Sequence, residues 1–139
     1  MTYTVAVIGL GRMGAGPVTN PDLPPGWLPL THCDAIDATP ELDLVAVCDT
    51  DQAKAKTVSD KFGLNGYFTD YRTLLDVAKP DIVTIATRTE GRCQIIADCS
   101  NAGVKGIFAE KPLARSMAEV EVARKAIEAN GTRFAWGAT

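Results

Sequence analysis

Short apolar runs alternate with polar, helix-forming segments from one end of the chain to the other. Apolar runs bounded by turn residues are typical of strands that helices cover on both faces, as in parallel sheets. The alternation therefore predicts an open α/β fold in which helices connect parallel strands. The predicted strands are residues 4–8, 42–48, 81–86, 105–109 and 133–136, and the predicted helices are residues 51–62, 71–78, 91–102 and 116–129.

The composition favours one domain with a small-molecule partner. The chain has 139 residues, of which 46% are hydrophobic and 22% charged, and its net charge is −3. It carries no basic block, which disfavours a nucleic-acid partner. Its apolar runs fall far short of the roughly 18 residues that span a bilayer, so we expect no membrane partner. The first residues lack a basic segment and a cleavage site, which predicts no signal peptide and a cytoplasmic location.

The four cysteines, Cys33, Cys48, Cys93 and Cys99, show no spacing typical of a metal site. None of them forms a C-x-x-C pair, and the single His32 adds only one neighbouring ligand. We expect reduced thiols that pack as small apolar side chains, and no bound metal.

A glycine pattern follows the first predicted strand without a break. The sequence GLGRMG fits G-x-G-x-x-G at Gly9, Gly11 and Gly14. In a dinucleotide-binding turn the first glycine allows a tight turn, the second leaves room for a pyrophosphate, and the third lets a helix pack closely on the sheet. Backbone N–H groups at the helix start then face the phosphates. The pattern predicts a nucleotide site that also includes Arg12 and Met13.

A dinucleotide site also needs an acid at the end of the second strand, to accept hydrogen bonds from the adenosine ribose. Asp34 and Asp37 lie near the usual spacing of about 20 residues, but neither follows a predicted strand. Asp49 stands 35 positions after Gly14 and directly follows the strand LDLVAVC. We therefore assign the ribose to Asp49, with Thr50 beside it; a plain turn residue is the alternative.

The charge of Asp49 favours NAD over NADP. Two unit charges 4 Å apart repel by about 4 kcal/mol at an effective dielectric near 20, which is an upper figure for a carboxylate facing a 2′-phosphate. No arginine immediately follows Asp49 to bind such a phosphate. The predicted cofactor is NAD, and NADP is disfavoured.

Three segments together resemble the N-terminal domain of the Gfo/Idh/MocA oxidoreductases, the family of glucose-fructose oxidoreductase and inositol dehydrogenase. They are the GLGRMG turn, the strand end LVAVCD, and the stretch from DIVTIA to AEKPLA, whose last part is the most specific. The resemblance covers nearly the whole chain apart from a Pro-rich stretch. It implies a Rossmann-type doubly wound parallel sheet in three layers, with the strand order 3-2-1-4-5-6.

The segment AEKPLA carries the catalytic expectations. In proteins that it resembles, the lysine of E-K-P lies beside the nicotinamide and the substrate. The resemblance implies that Lys111 orients the substrate hydroxyl or carbonyl and stabilises charge on its oxygen. Glu110 is expected to hold the turn near the cofactor, and Pro112 to follow a cis peptide bond. An ordinary exit from a strand is the alternative interpretation.

The loop after the strand DIVTIA departs from the family pattern. Family members usually carry A-T-P-N-x-x-H there, whereas this chain has arginines in place of both the proline and the histidine. We expect Ala86, Thr87 and Arg88 to lie under the nicotinamide ribose. Arg88 or Arg92 could reach a phosphate or an acidic substrate; a solvated arginine on the loop or at the helix start is the alternative.

A Pro-rich stretch interrupts the helix that should follow the glycines. Many relatives have a histidine in this helix, and His32 stands in register with it, 17 residues before Asp49. The register implies an insertion at about residues 15–30. We expect one helical turn at residues 11–16, then a loop, and a helix that resumes near Thr31. His32 is expected to pack in that helix rather than act as a catalytic base.

The resemblance also concerns the organisation of the protein. We expect residues 1–139 to form only the dinucleotide-binding domain, because such oxidoreductases have a second, larger domain that supplies most of the substrate pocket and the oligomer interface. The chain is then an N-terminal fragment or truncated product, which we favour, or it works with a separate partner chain. The inserted loop could contact the second domain through Trp27 and Leu28, cover the cofactor edge, or be a surface excursion.

The expected activity is hydride transfer between a nicotinamide cofactor and a sugar or polyol hydroxyl or ketone. Two alternatives stay open. One is a non-catalytic NAD-sensing module, and the other is an NAD-dependent lyase or glycosidase in which the hydride leaves and returns within one cycle. The residues that would separate them belong to the second domain.

Overall fold

Five parallel strands form one sheet in the computed structural model, which describes residues 1–17 and 22–137. The predicted strands and helices are all present, with ends that differ by at most one residue. In chain order they are β1 (Tyr3–Ile8), α1 (His32–Asp37), β2 (Leu42–Cys48), α2 (Gln52–Lys61), α3 (Tyr71–Ala78), β3 (Ile82–Ile85), α4 (Arg92–Asn101), β4 (Gly106–Ala109), α5 (Met117–Asn130) and β5 (Arg133–Trp136).

The sheet confirms the Rossmann-type α/β prediction with one difference in strand count. The observed order is β2-β1-β3-β4-β5, whereas the expected order 3-2-1-4-5-6 requires a sixth strand outside β2. At that place Phe68 forms a single parallel bridge with Cys48. On the carboxyl side of this bridge Asp70 caps α3 by accepting from the backbone N–H of Arg72, so the chain turns into a helix there.

Alternate residues of β1 face the two sides of the sheet, and helices cover both sides. Ala6 and Ile8 pack in a core with α3, α4 and Ala123 of α5. Val5 and Val7 pack in a second core with α1 and α2. The apolar strands are therefore buried between two helical layers, which gives the expected three-layer arrangement.

The stretch after the glycines forms a helical turn that α1 continues in space. Gly16 N donates to Gly11 O at 2.9 Å, which closes the turn. Across the interruption His32 N donates to Met13 O at 2.8 Å and Cys33 N donates to Gly14 O at 2.9 Å. Part of the expected insertion, residues 18–21, lies outside the described residues.

The described part of the inserted loop lies at the surface. Trp27 and Leu28 are 60% and 62% exposed. Within residues 1–17 and 22–137, no helix combines the length and the apolar character needed to cross a membrane. The cytoplasmic location stays a prediction.

Candidate functional site

The residues that follow four of the strands meet at the carboxyl edge of the sheet. Gly9, Asp49, Ala86 and Glu110 come directly after β1, β2, β3 and β4. Three of them extend the ladder by one bond: Gly9 N donates to Cys48 O, Ala86 N to Ile8 O and Glu110 N to Ile85 O, at 2.8 to 2.9 Å. This continuation gives the edge a defined backbone. In open α/β sheets the carboxyl edge is where ligands bind.

Two adjoining cavities lie along this edge. The larger measures about 820 Å³ and extends from the glycine turn over the ends of β2 and β3. The smaller measures about 580 Å³ and extends from the glycine turn to the end of β4. Gly11, Ala86, Thr87 and Arg88 line both, so the two form one cleft.

Most of the sequence-predicted site residues line this cleft. The larger cavity adds Gly9, Asp49 and Thr50 to the four shared residues. The smaller adds Arg12, Met13, Arg92, Glu110 and Lys111. Gly14 is buried behind the turn, and Pro112 is exposed outside both cavities.

Each of the three glycines in the turn meets a different structural requirement. Gly9 has a φ of +90°, and a Cβ there would lie 2.7 Å from the backbone of Ala86. A Cβ on Gly14 would lie 1.9 Å from Gly9 O, so the helical turn and the strand end can approach only without a side chain. Around Gly11 a Cβ would meet nothing within 4 Å, because that side of the residue opens into the cleft. An open glycine at a turn leaves space for a ligand to approach the backbone.

Asp49 connects the end of β2 to the glycine turn. Its Oδ2 accepts from Leu10 N and its Oδ1 accepts from Asp51 N, both at 2.9 Å. Lys54 Nζ on α2 lies 4.0 Å from Oδ2. A carboxylate offers about four acceptor positions, so two backbone bonds leave capacity for two further donors. The carboxylate is thus oriented by the backbone and can accept hydroxyl groups in the larger cavity.

The rejected candidates for this role lie elsewhere. Asp34 on α1 accepts from Thr31 Oγ1 at 2.6 Å and from Lys61 Nζ at 3.0 Å. Asp37 is exposed at the end of α1. Strand context, rather than spacing from the glycines, therefore identified the carboxylate that reaches the cleft.

The turn after β4 is held on one side by His32. His32 Nε2 lies 2.9 Å from Glu110 Oε1, and the imidazole ring packs edge-on against Phe108 at 5.4 Å between centroids. His32 is 8% exposed, which agrees with a packing role in α1. Lys111 itself is exposed, and the Lys111–Pro112 peptide bond is cis, as expected. The sequence register placed His32 in the helix but did not indicate Glu110 as its partner.

Arg92 differs most from its predicted environment. It is 2% exposed, so it neither points into solvent nor reaches outward for a phosphate. Its Nη1 donates to Glu110 O at 2.6 Å and also to Pro112 O, and its Nη2 donates to Thr87 O. Burial lowers the pKa of the guanidinium, and the nearby Glu110 carboxylate opposes that shift. Arg88, by contrast, is exposed at the boundary of the two cavities.

All four cysteines are free and buried. Burial raises the pKa of Cys33, Cys48 and Cys99 to about 12, so these thiols are neutral at physiological pH. In the part of the chain that the structure describes, no group of three or more His, Cys, Asp and Glu side chains could hold a metal ion.

Comparisons with known proteins agree with this geometry. A family model described as "Oxidoreductase family, NAD-binding Rossmann fold" matches residues 3–138. Inositol 2-dehydrogenase of Salmonella paratyphi B is 25% identical over 135 residues, which cover 96% of this chain and 36% of that protein. The scyllo-inositol 2-dehydrogenase (NAD(+)) of Bacillus subtilis is 29% identical over 126 residues, which cover 91% of this chain and 32% of that protein. The chain thus spans about a third of the length of these relatives.

A solved structure shares the fold. The scyllo-inositol dehydrogenase of Lactobacillus casei, solved with bound NAD(H) and scyllo-inositol, has a TM-score of 0.79 and 23% identity. The likeness covers 99% of this chain and 36% of that one.

Proposed function

The chain belongs to the oxidoreductase family with an NAD-binding Rossmann fold, and on that premise we propose that its cleft holds NAD for hydride transfer with a polyol or sugar. NAD binding and the oxidoreductase class come with the family. The proposal assigns the larger cavity to the adenosine half, the Gly11 backbone to the pyrophosphate and the smaller cavity to the nicotinamide half.

One observation carries the proposal: Gly11 opens into the cleft while the Asp49 carboxylate faces the same space. Gly11 allows a pyrophosphate to approach the backbone N–H groups of the turn. Asp49 keeps acceptor capacity for the two ribose hydroxyls, and Leu10 N fixes the carboxylate relative to the turn. The residues present therefore fit a dinucleotide in both shape and hydrogen-bonding chemistry.

The chemistry divides between the cofactor and the chain. When bound, NAD supplies the site that accepts or returns a hydride. Lys111, at the smaller cavity, donates hydrogen bonds to the substrate oxygen and stabilises negative charge that develops there. Glu110, bonded to His32, fixes the turn that carries Lys111.

The substrate class is proposed from relatives. The inositol dehydrogenases that match this chain act on cyclic polyols, as their names state. A polyol presents a hydroxyl that Lys111 can bind, and neighbouring hydroxyls for further polar groups. Since the chain spans only about a third of these relatives, we propose that a further domain or chain completes the substrate pocket and any oligomer.

Titration calorimetry with NAD tests the proposal. We expect wild type to bind NAD, and Gly11→Ala to weaken binding by about tenfold or more while its unfolding midpoint stays the same, because the new Cβ enters only open cleft space. Gly66→Ala is the matched control: its Cβ also meets nothing within 4 Å, but it lies outside the cleft. Absence of NAD binding in wild type, or equal binding by Gly11→Ala, contradicts the proposal.

A further inference from the structure

The buried guanidinium of Arg92 spans the two loops that form the smaller cavity. One loop follows β3 and contributes Thr87 O; the other follows β4 and contributes Glu110 O and Pro112 O. These bonds join segments about 20 residues apart in sequence. Arg92 is thus the side chain through which the two walls are connected.

The bonds to the second loop enclose Lys111. Arg92 Nη1 donates to the carbonyl of the residue before Lys111 and to the carbonyl of the residue after it. The backbone on both sides of Lys111 is therefore fixed, while its side chain stays exposed at the cavity. Arg92 also lines this cavity, but its guanidinium nitrogens donate to backbone carbonyls of the two loops.

The position of Arg92 costs stability, so a contribution to stability alone does not account for it. Arg92 is the first residue of α4, where the positive end of the helix dipole disfavours a cation. It is almost wholly buried, and its Nε has no hydrogen-bond partner within the described residues. A buried cation is costly unless its donors are satisfied. Three carbonyl acceptors compensate for part of that cost, and they belong to the segments at the cavity.

We propose that Arg92 is a positioning residue, which sets Lys111 and the Thr87 loop relative to each other across the smaller cavity. The inference rests on the proposed function, because NAD binding reports on these loop positions only if NAD occupies the cleft that the loops line. A lysine cannot replace Arg92, since its three donors radiate from one nitrogen, whereas the planar guanidinium reaches the two loops from two separate nitrogens.

Calorimetry with NAD on Arg92→Ala and Arg92→Lys tests this role, well below the unfolding midpoint of each variant. We expect both variants to bind NAD about tenfold more weakly than wild type. Millimolar guanidinium should restore much of the affinity of Arg92→Ala, whereas methylammonium should not. A role in stability alone would change the unfolding midpoint without this selective rescue. Arg72→Ala is the control, because Arg72 is an exposed arginine paired with Asp98 outside the cleft.

Each result has one meaning. If wild type does not bind NAD, the proposed function fails. If wild type binds NAD and the folded Arg92 variants bind it within about twofold of wild type, the positioning role alone is wrong. Weakened binding that guanidinium does not restore also overturns it.

A measurement on wild type replaces the variants if they do not fold. With ¹⁵N-labelled arginine, NAD at saturation should shift the Arg92 Nη signals together with the amide signals of Arg88 and Lys111. Unchanged Arg92 Nη signals at saturating NAD overturn the proposal.

Discussion

At the residue scale, we predict that the charge of Asp49 decides which dinucleotide the cleft accepts. The carboxylate is held by Leu10 N and Asp51 N, so it cannot turn away from a 2′-phosphate without losing both bonds. Lys54 Nζ lies 4.0 Å from Asp49 Oδ2, but the Lys54 side chain is 44% exposed. Solvent therefore screens much of the positive charge that could offset the carboxylate's repulsion of a 2′-phosphate. The wild-type chain should therefore bind NAD in preference to NADP.

Asp49→Asn should reduce this preference. The amide keeps one acceptor oxygen for Leu10 N and removes the negative charge, so we expect the ratio of the NADP to the NAD dissociation constant to fall by about tenfold. Calorimetry with both nucleotides measures the ratio. Asp43→Asn, an exposed change on β2 with the same loss of charge, should leave it unchanged. Equal affinity of wild type for NADP and NAD would show that the Asp49 assignment is wrong.

The residue scale also shows what the sequence could not indicate. The glycines and Asp49 were found because each needs a specific side chain, or its absence, directly after a strand. The partners of Arg92 are three backbone carbonyls, and every residue carries a carbonyl, so nothing in the sequence marks Thr87, Glu110 and Pro112 as acceptors. The same holds for the contact of His32 with Glu110, which depends on where the first residue of α1 lies relative to the end of β4.

At the element scale, helices were predicted closely because their ends carry local signals. Ser116 caps α5 by accepting from Glu119 N, and Gly131 ends it in the left-handed conformation. The Glu119 carboxylate accepts from Arg115 N rather than from the N–H of Ser116, so the carboxylate bonds one residue before the cap. No comparable local signal indicated that a single bridge would stand in place of the sixth strand. The bridge depends on where Phe68 lies beside the edge strand β2.

The inserted loop should be dispensable for nucleotide binding. Hydrogen bonds from His32 N and Cys33 N already join α1 to the turn at Met13 and Gly14, and the described loop residues line neither cavity. We therefore expect a variant in which a short Gly-Ser linker replaces residues 18–29 to bind NAD within about twofold of wild type. Calorimetry and thermal unfolding measure both properties. A tenfold loss of affinity in a folded variant would instead favour a loop that covers the cofactor edge.

Asp81 joins three strands at the opposite edge of the sheet. It precedes β3, accepts from Thr4 N and Thr4 Oγ1 on β1 at 3.0 Å, and accepts from Lys105 Nζ before β4 at 2.6 Å. The hydrogen bond from Lys105, followed by those from Thr4, lowers the pKa of Asp81 from 3.8 to about 2. A carboxylate with a lowered pKa in the folded state stabilises the fold above its unfolded pKa and loses that contribution as the pH falls.

Stability should therefore depend on Asp81 between about pH 4 and pH 2. At neutral pH the urea unfolding midpoint of wild type should be higher than that of Asp81→Asn. The difference between the two midpoints should shrink as the pH falls through this window. Asp43→Asn serves as the comparison, because Asp43 is exposed on β2. A difference between wild type and Asp81→Asn that is independent of pH would contradict the role of the Asp81 charge.

At the scale of the whole molecule, the parallel sheet brings together groups that are far apart in sequence. The glycine turn, Asp49, the Thr87 loop and the Lys111 turn come from four separate strand ends, yet they line one cleft. Parallel register alone places these ends at one edge, which is why the fold and the cofactor class could be predicted together. A substrate pocket could be predicted less directly, because the chain spans only about a third of the length of its relatives.

The proposed need for a further domain predicts that the chain on its own binds NAD but does not turn over a substrate. We expect the purified chain to bind NAD but to produce no measurable NADH with myo-inositol or scyllo-inositol, since a polyol held only at Lys111 would not be fixed for hydride transfer. Absorbance of NADH measures turnover, and calorimetry on the same sample confirms that nucleotide is bound. Robust dehydrogenase activity of this chain alone would contradict the proposed need for a further domain. Supplying that domain in trans should restore NADH formation, whereas cleavage of a glycoside without net NADH would instead indicate a lyase or glycosidase.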